Sequence, residues 1–132
     1  MGDLTRNLSR WEFSCKCGCG FDTVDVELVP VLQDIVDHFS RVLDRDCVII
    51  IDSGCRCVEH NETVQKEDNP NYVPYSSKSQ HMFGRAADIV IKGVHSHIVY
   101  TYVDSKYPNK YGIGRYKRFT HIDTASGPPR RW

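Results

Sequence analysis

The stretch Ser79-Gln-His-Met-Phe-Gly-Arg-Ala-Ala-Asp88-Ile-Val-Ile-Lys92 runs from polar residues through a glycine into an apolar segment. Gly84 marks a turn and residues 87–92 read as a strand. His81 lies just before the turn and Asp88 begins the strand. A turn between them can bring an imidazole and a carboxylate to one point. Both are ligand types suited to zinc.

Upstream, residues 47–52 (Cys-Val-Ile-Ile-Ile-Asp) form a β-branched run bounded by Asp46 and by Ser53-Gly54. They are expected to form a buried central strand. Before it, Leu28, Val31, Leu32, Ile35, Val36 and Phe39 recur with the spacing of one helical face, so residues 25–43 are expected to be a helix. Asp25 is the expected N-cap, although Pro30 argues for a later start. Residues 59–66 suggest a short helix, and residues 67–80 a long polar loop. A loop of that length in a compact domain more often serves function than not.

Downstream, residues 96–107 read as a helix capped by Ser96 and stopped at Pro108. Residues 112–116 and 119–124 read as two short strands able to pair as a hairpin. Residues 1–24 are expected to be irregular, with Trp11 and Phe13 anchoring them to the core. The sum is an α+β domain with helices packed on a small, largely antiparallel sheet.

With 132 residues, one domain spanning residues 1–132 is expected. Lys and Arg balance Asp and Glu at 17 each, and this neutrality argues against a protein built to bind nucleic acid. No segment is long and apolar enough to cross a membrane. The N-terminus lacks the apolar stretch of a secretory signal, so synthesis in a cytoplasm is expected. A monomer is expected.

The six cysteines are then expected to be reduced thiols. Cys15-Lys-Cys-Gly-Cys19 does resemble a metal knuckle, and Cys55-Arg-Cys57 could complete a set of thiolates. Its one-residue spacing departs from the two-to-four-residue spacing of common structural zinc sites. Buried or paired thiols are the preferred reading.

A second polar segment, His121-Ile-Asp123, lies in a predicted strand, where His121 and Asp123 project to one face. One of them can bind a metal while the other holds a water or proton beside it. His81, Asp88 and His121 together make a candidate three-ligand site for Zn2+ with a position left open, the arrangement of catalytic zinc. A half-exposed strand with an alternating His and Asp is the bland alternative. His38, His60, His95 and His97 are read as solvated.

Four motifs occur in order: Ser53-Gly-Cys-Arg-Cys57 with Asn61, Ser79–Ile89, Gly112-Ile-Gly-Arg-Tyr116, and Phe119-Thr-His-Ile-Asp123. In this the chain resembles the zinc D-Ala-D-Ala carboxypeptidases and peptidoglycan endopeptidases, especially short phage and prophage enzymes. The resemblance implies a LAS-type zinc peptidase domain acting on peptidoglycan peptides, with His81, Asp88 and His121 as zinc ligands. Related enzymes place an acidic general base three residues before the last ligand. That position is Arg118 here, so the base role passes to Asp123. In some relatives the late motif is His-x-His and its second member binds the metal; on that alignment Asp123 would be the ligand and His121 its support. Arg56 is expected to stabilise the oxyanion or grip a substrate carboxylate, with an internal salt bridge as the alternative. Ser79 and Gln80 are expected to orient His81 or bind substrate backbone. Trp132, after Arg130 and Arg131, resembles the family's basic-aromatic tail. A lysin released through a membrane lesion fits this picture. The competing readings are a non-catalytic wall-binding module on the same fold, and a structural zinc protein organised by the cysteines.

Overall fold

A computed structural model describes residues 2–132. Helix α1 (Leu28–Leu43) buries the six apolar residues expected on its inner face. It begins three residues later than predicted. Pro30 falls in its first turn, where the amide it lacks has no helical partner. Asp25 is not the cap. Its backbone N–H donates to the Gly84 carbonyl at 2.8 Å, and its Oδ2 accepts from the Thr124 hydroxyl at 2.6 Å. Asp25 therefore ties the helix entry to the turn after His81 and to the strand that carries His121.

The strands are β1 (Ile49–Ser53), β2 (Ala86–Ile91), β3 (Gly112–Arg115), β4 (Thr120–Asp123) and β5 (Arg130–Arg131). They form one sheet in the order β1-β2-β4-β3-β5. All neighbours are antiparallel except β3 and β5. The expected hairpin is β3–β4. Strand β1 is a correction to the sequence reading: it lies at the edge, not the centre. Ile49 and Ile51 are buried, while Val48 and Ile50 are 51% and 40% exposed. A continuous β-branched run does not distinguish a strand buried on both faces from an edge strand buried on one. The short β5 had no sequence signal.

Helix α2 (Val58–Asp68) follows β1, and helix α3 (Ser96–Lys106) packs on the sheet through Val99 and Val103. The cap of α3 is His95, whose Nδ1 accepts from the His97 amide at 3.1 Å. Ser96 instead donates to the carbonyls of Tyr116 and Lys117. In the N-terminal segment Phe13 is buried, but Trp11 is 72% exposed. Both lie on one 3-10 turn, Arg10–Phe13, which can turn only one of them inward. Among the described residues no helix is long and apolar enough to cross a membrane.

Ile122 on β4 is fully buried and sits between Ala87 of β2 and Ile113 of β3. Replacing Ile122 by Ala should cost about 2–5 kcal/mol through lost burial and a residual cavity. Denaturant unfolding reads this directly. A cost below about 1 kcal/mol would mean the sheet is not packed as described.

Candidate metal centre and its cleft

Asp88 on β2 pairs directly with His121 on β4. Opposed residues in an antiparallel pair share a face, so the register alone sets carboxylate beside imidazole. Asp123, two residues along β4, projects to the same side. His81 arrives from the short 3-10 turn Gln80–Phe83. Ser79 Oγ accepts from the His81 amide at 3.3 Å and so opens that turn. Gly84 closes it at φ 68°, and a Cβ there would meet the Thr23 carbonyl oxygen at 2.6 Å. Both the backbone angle and the close approach require glycine.

His81 Nδ1 lies 2.6 Å from the Gly54 carbonyl. A carbonyl only accepts, so Nδ1 carries the proton and Nε2 presents its lone pair. Nε2 is 3.3 Å from Asp88 Oδ2. His121 Nδ1 is 2.9 Å from Asp88 Oδ1, and its Nε2 is 2.9 Å from Asp123 Oδ2. One donor atom from each of His81, Asp88 and His121 falls within 4.8 Å of the others. A tetrahedral zinc with bonds of about 2.0–2.1 Å holds its N and O ligands about 3.3 Å apart. The donor set and its spacing therefore fit the ion, and each histidine has a backbone or carboxylate partner on its far side, as metal-bound histidines do.

The electrostatics follow from the burial of all four groups. Burial alone would raise the Asp88 carboxyl, but hydrogen bonds and charge from His121 and His81 outweigh it and hold it far below the usual carboxylate range. Burial would lower His121, yet its two carboxylate partners, Asp123 and Asp88, raise it. Burial would likewise raise Asp123, but His121 and Arg130 bring it down to about 2. Both Asp123 oxygens are engaged: Arg130 grips the carboxylate with both terminal nitrogens, and His121 holds Oδ2. With both oxygens so held, Asp123 stands as a hydrogen-bond partner of His121 and of Arg130.

Arg56 sits between β1 and α2. Its amide donates to the His81 carbonyl at 2.9 Å, its Nε to Ser53 Oγ at 3.2 Å and its Nη1 to Asn61 Oδ1 at 3.1 Å. Nη2 lies 3.5 Å from Asp88 Oδ2. The guanidinium is thus held beside Asp88. A cleft of about 370 Å³ opens over these groups, with Lys78, Ser79, Gln80, Tyr116 and Trp132 also on its walls. Gln80 Oε1 is buried without a hydrogen-bond partner among the described residues. Trp132 donates to the Tyr116 hydroxyl at 2.8 Å and lies 5.1 Å from the His121 ring. The structure brings together every site residue expected from the sequence, and adds Arg130. Its only sequence signal was membership of the basic tail.

Gly54 carries the carbonyl that orients His81, and a Cβ there would meet the Phe13 Cα at 2.5 Å. Gly54→Ala should displace that carbonyl and weaken zinc binding about 10–100-fold. Competition with a chromogenic chelator measures it. Unchanged affinity would mean the Gly54 contact does not orient the ligand.

A family model described as Peptidase M15 matches residues 6–123. Peptidases of that family are zinc enzymes. Among solved structures, the chain resembles a crystal structure of a mutant vancomycin-resistance D,D-pentapeptidase, VanY from a VanB-type resistance cassette, in complex with Zn(II). The two are 26% identical, with a TM-score of 0.39, over 67% of this chain and 58% of that one. The chain thus spans less than two thirds of that protein. No curated protein sequence matches it.

Proposed function

The chain belongs to the Peptidase M15 family, and from that premise we propose that it hydrolyses peptide bonds in the stem peptides or cross-links of bacterial peptidoglycan. The observation that carries this reading is the His81, Asp88 and His121 donor set at the floor of an open cleft, with Arg56 fixed beside it. His81, Asp88 and His121 would hold Zn2+, which would supply water activation and carbonyl polarisation there. The chain's own residues do the rest. Gly54 and Asp123 fix the two rings with their ligand nitrogens turned to Asp88. Arg56 offers its remaining N–H donors where charge develops on the scissile oxygen. Arg56 and Lys78 make the cleft suited to peptides that carry carboxylates. Ser79 and Gln80 sit where a substrate backbone would run.

The test is digestion of purified peptidoglycan followed by mass spectrometry of the soluble products, with and without a chelator and with zinc restored. Release of free D-alanine would identify a carboxypeptidase, and loss of cross-linked dimers an endopeptidase. No product from any wall preparation would reject the substrate class. Within this reading the protein acts as a monomeric phage or prophage lysin, made in the cytoplasm and acting on the wall after release.

Arg56→Lys keeps the charge but loses the planar fork that binds Ser53 and Asn61 together. The expected result is a fall in kcat of about 10²-fold with a smaller change in KM, as for loss of one oxyanion donor. Steady-state kinetics on a synthetic stem peptide separates the two. An unchanged kcat would reduce Arg56 to an internal salt bridge.

A further inference from the structure

The cysteines of the N-terminal segment meet a fourth cysteine at the start of α2. Cys15 Sγ is 3.4 Å from Cys17 Sγ and 3.8 Å from Cys57 Sγ, and Cys17 Sγ is 3.7 Å from Cys57 Sγ. Cys19 completes a set whose four sulfurs all lie within 4.8 Å of one another. These separations are far too long for a disulfide, which needs about 2.05 Å. They match a different geometry. Four sulfurs about 2.3 Å from one tetrahedral zinc stand about 3.75 Å apart.

We propose that Cys15, Cys17, Cys19 and Cys57 bind a second zinc ion, as a structural tetrathiolate site separate from the His81–Asp88–His121 centre.

The local backbone explains how one-residue spacing can serve. In an extended strand, Cys15, Cys17 and Cys19 would lie in a row about 6.6 Å apart, too far to share an ion. Here the chain is curled. The Gly18 amide donates to the Cys15 carbonyl at 3.2 Å, and the Cys15 amide to the Phe21 carbonyl at 2.7 Å. Gly18 and Gly20 take φ of 83° and 91°. Nothing lies within 4 Å of a Cβ at either position, so backbone conformation alone asks for glycine there. The two glycines fold the three sulfurs inward.

Cys57 supplies the fourth ligand from the N-cap of α2. Its Sγ accepts from the His60 amide at 3.3 Å, and Cys15 Sγ accepts from the Cys57 amide at 3.4 Å. Amide donors on sulfur and a helix N-terminus both favour the thiolate, the form that binds metal. On binding, each thiol releases its proton to solvent. Cys47 and Cys55 stand outside the set; Cys55 Sγ donates to the Phe21 carbonyl at 3.0 Å.

The site would act as a clip. The segment before α1 has one 3-10 turn as its regular structure, and the ion would fasten it to the residue next to Arg56. The neighbouring Cys55 amide already donates to the Phe13 carbonyl at 2.9 Å. The clip therefore sets the loop whose Gly54 and Arg56 face the catalytic centre.

The test is metal stoichiometry of the full chain, purified reduced and zinc-loaded, by elemental mass spectrometry. Two zinc ions per chain are expected for the parent. One is expected for the double variant Cys17→Ser/Cys19→Ser, and one for Asp88→Asn. In the cobalt-loaded protein the thiolate-to-cobalt absorption should be present in the parent and in Asp88→Asn. It should be absent from the double variant and weakened in Cys19→Ser alone, a single exposed change that keeps the test open if the double variant does not fold. A double variant that keeps as much zinc as the parent, or a cobalt-loaded parent without the thiolate absorption, overturns the proposal. So does a parent in which peptide mapping of unreduced protein places Cys15, Cys17, Cys19 or Cys57 in a disulfide. These readouts do not depend on peptidase activity, so they fail separately from the proposed function.

Discussion

Asp88→Asn is expected to abolish release of wall peptides, lowering the rate by about 10³-fold or more, while leaving the chain folded. The substitution keeps shape and removes one charge. Among the described residues, that carboxylate is the one common to His81, His121 and Arg56. Metal polarisation of a carbonyl is worth several kcal/mol, and each 1.4 kcal/mol or so is tenfold in rate, which sets the size. Zinc at this centre should fall in parallel, because a neutral amide is a far poorer ligand than a carboxylate. The same change should destabilise the metal-free protein by about 3–5 kcal/mol, since it leaves the buried Arg56 without its nearest counter-charge. Chelated protein in a denaturant titration isolates this second effect. Walls digested by the Asn protein as fast as by the parent would rule out the metal mechanism.

The parts legible in the sequence were those that local rules control. The apolar stripe of α1 and the β3–β4 hairpin have periodicities that only one secondary structure satisfies. His81 and Asp88 were legible because they stand seven positions apart with a glycine between them. The misread parts depend on partners far along the chain. Whether β1 lies at the edge or the centre is decided by what pairs with its second side, and nothing in Cys47–Ser53 records that. Trp11 and Phe13 are equally apolar, and only the sheet decides which one faces it. The Asp123 contacts were hidden for the same reason: Arg130 reaches it through the parallel pairing of β5 with β3, a strand of two residues with no periodicity to detect. The cysteine cluster was half legible. Its thiols could be counted, but the spacing argued against a shared ion until Gly18 and Gly20 were seen to curl the loop.

Asp123→Asn separates three roles that the sequence left open. As a positioning residue, Asp123 holds the His121 ring by one strong hydrogen bond to Nε2. Its loss should weaken zinc binding about 10–100-fold, as for other partners of metal-bound histidines, while kcat measured at saturating zinc stays within a few-fold of the parent. A proton acceptor would behave in the opposite way, with zinc affinity kept and kcat lost. A direct ligand would show zinc binding gone altogether. The pH dependence gives an independent reading in the chelated protein. There His121 is raised by its two carboxylates, so its contribution to stability is fully present below its unfolded pKa of about 6.5 and is lost as pH rises through the folded value. Asp123, lowered to about 2, contributes above about 4 and loses that contribution only as pH falls toward 2. As pH rises above about 6.5 the parent should therefore lose stability more steeply than the Asn protein, which holds His121 with Asp88 alone. Equal slopes in denaturant titrations would show that Asp123 does not hold the ring, and zinc affinity would then decide between the base and the ligand.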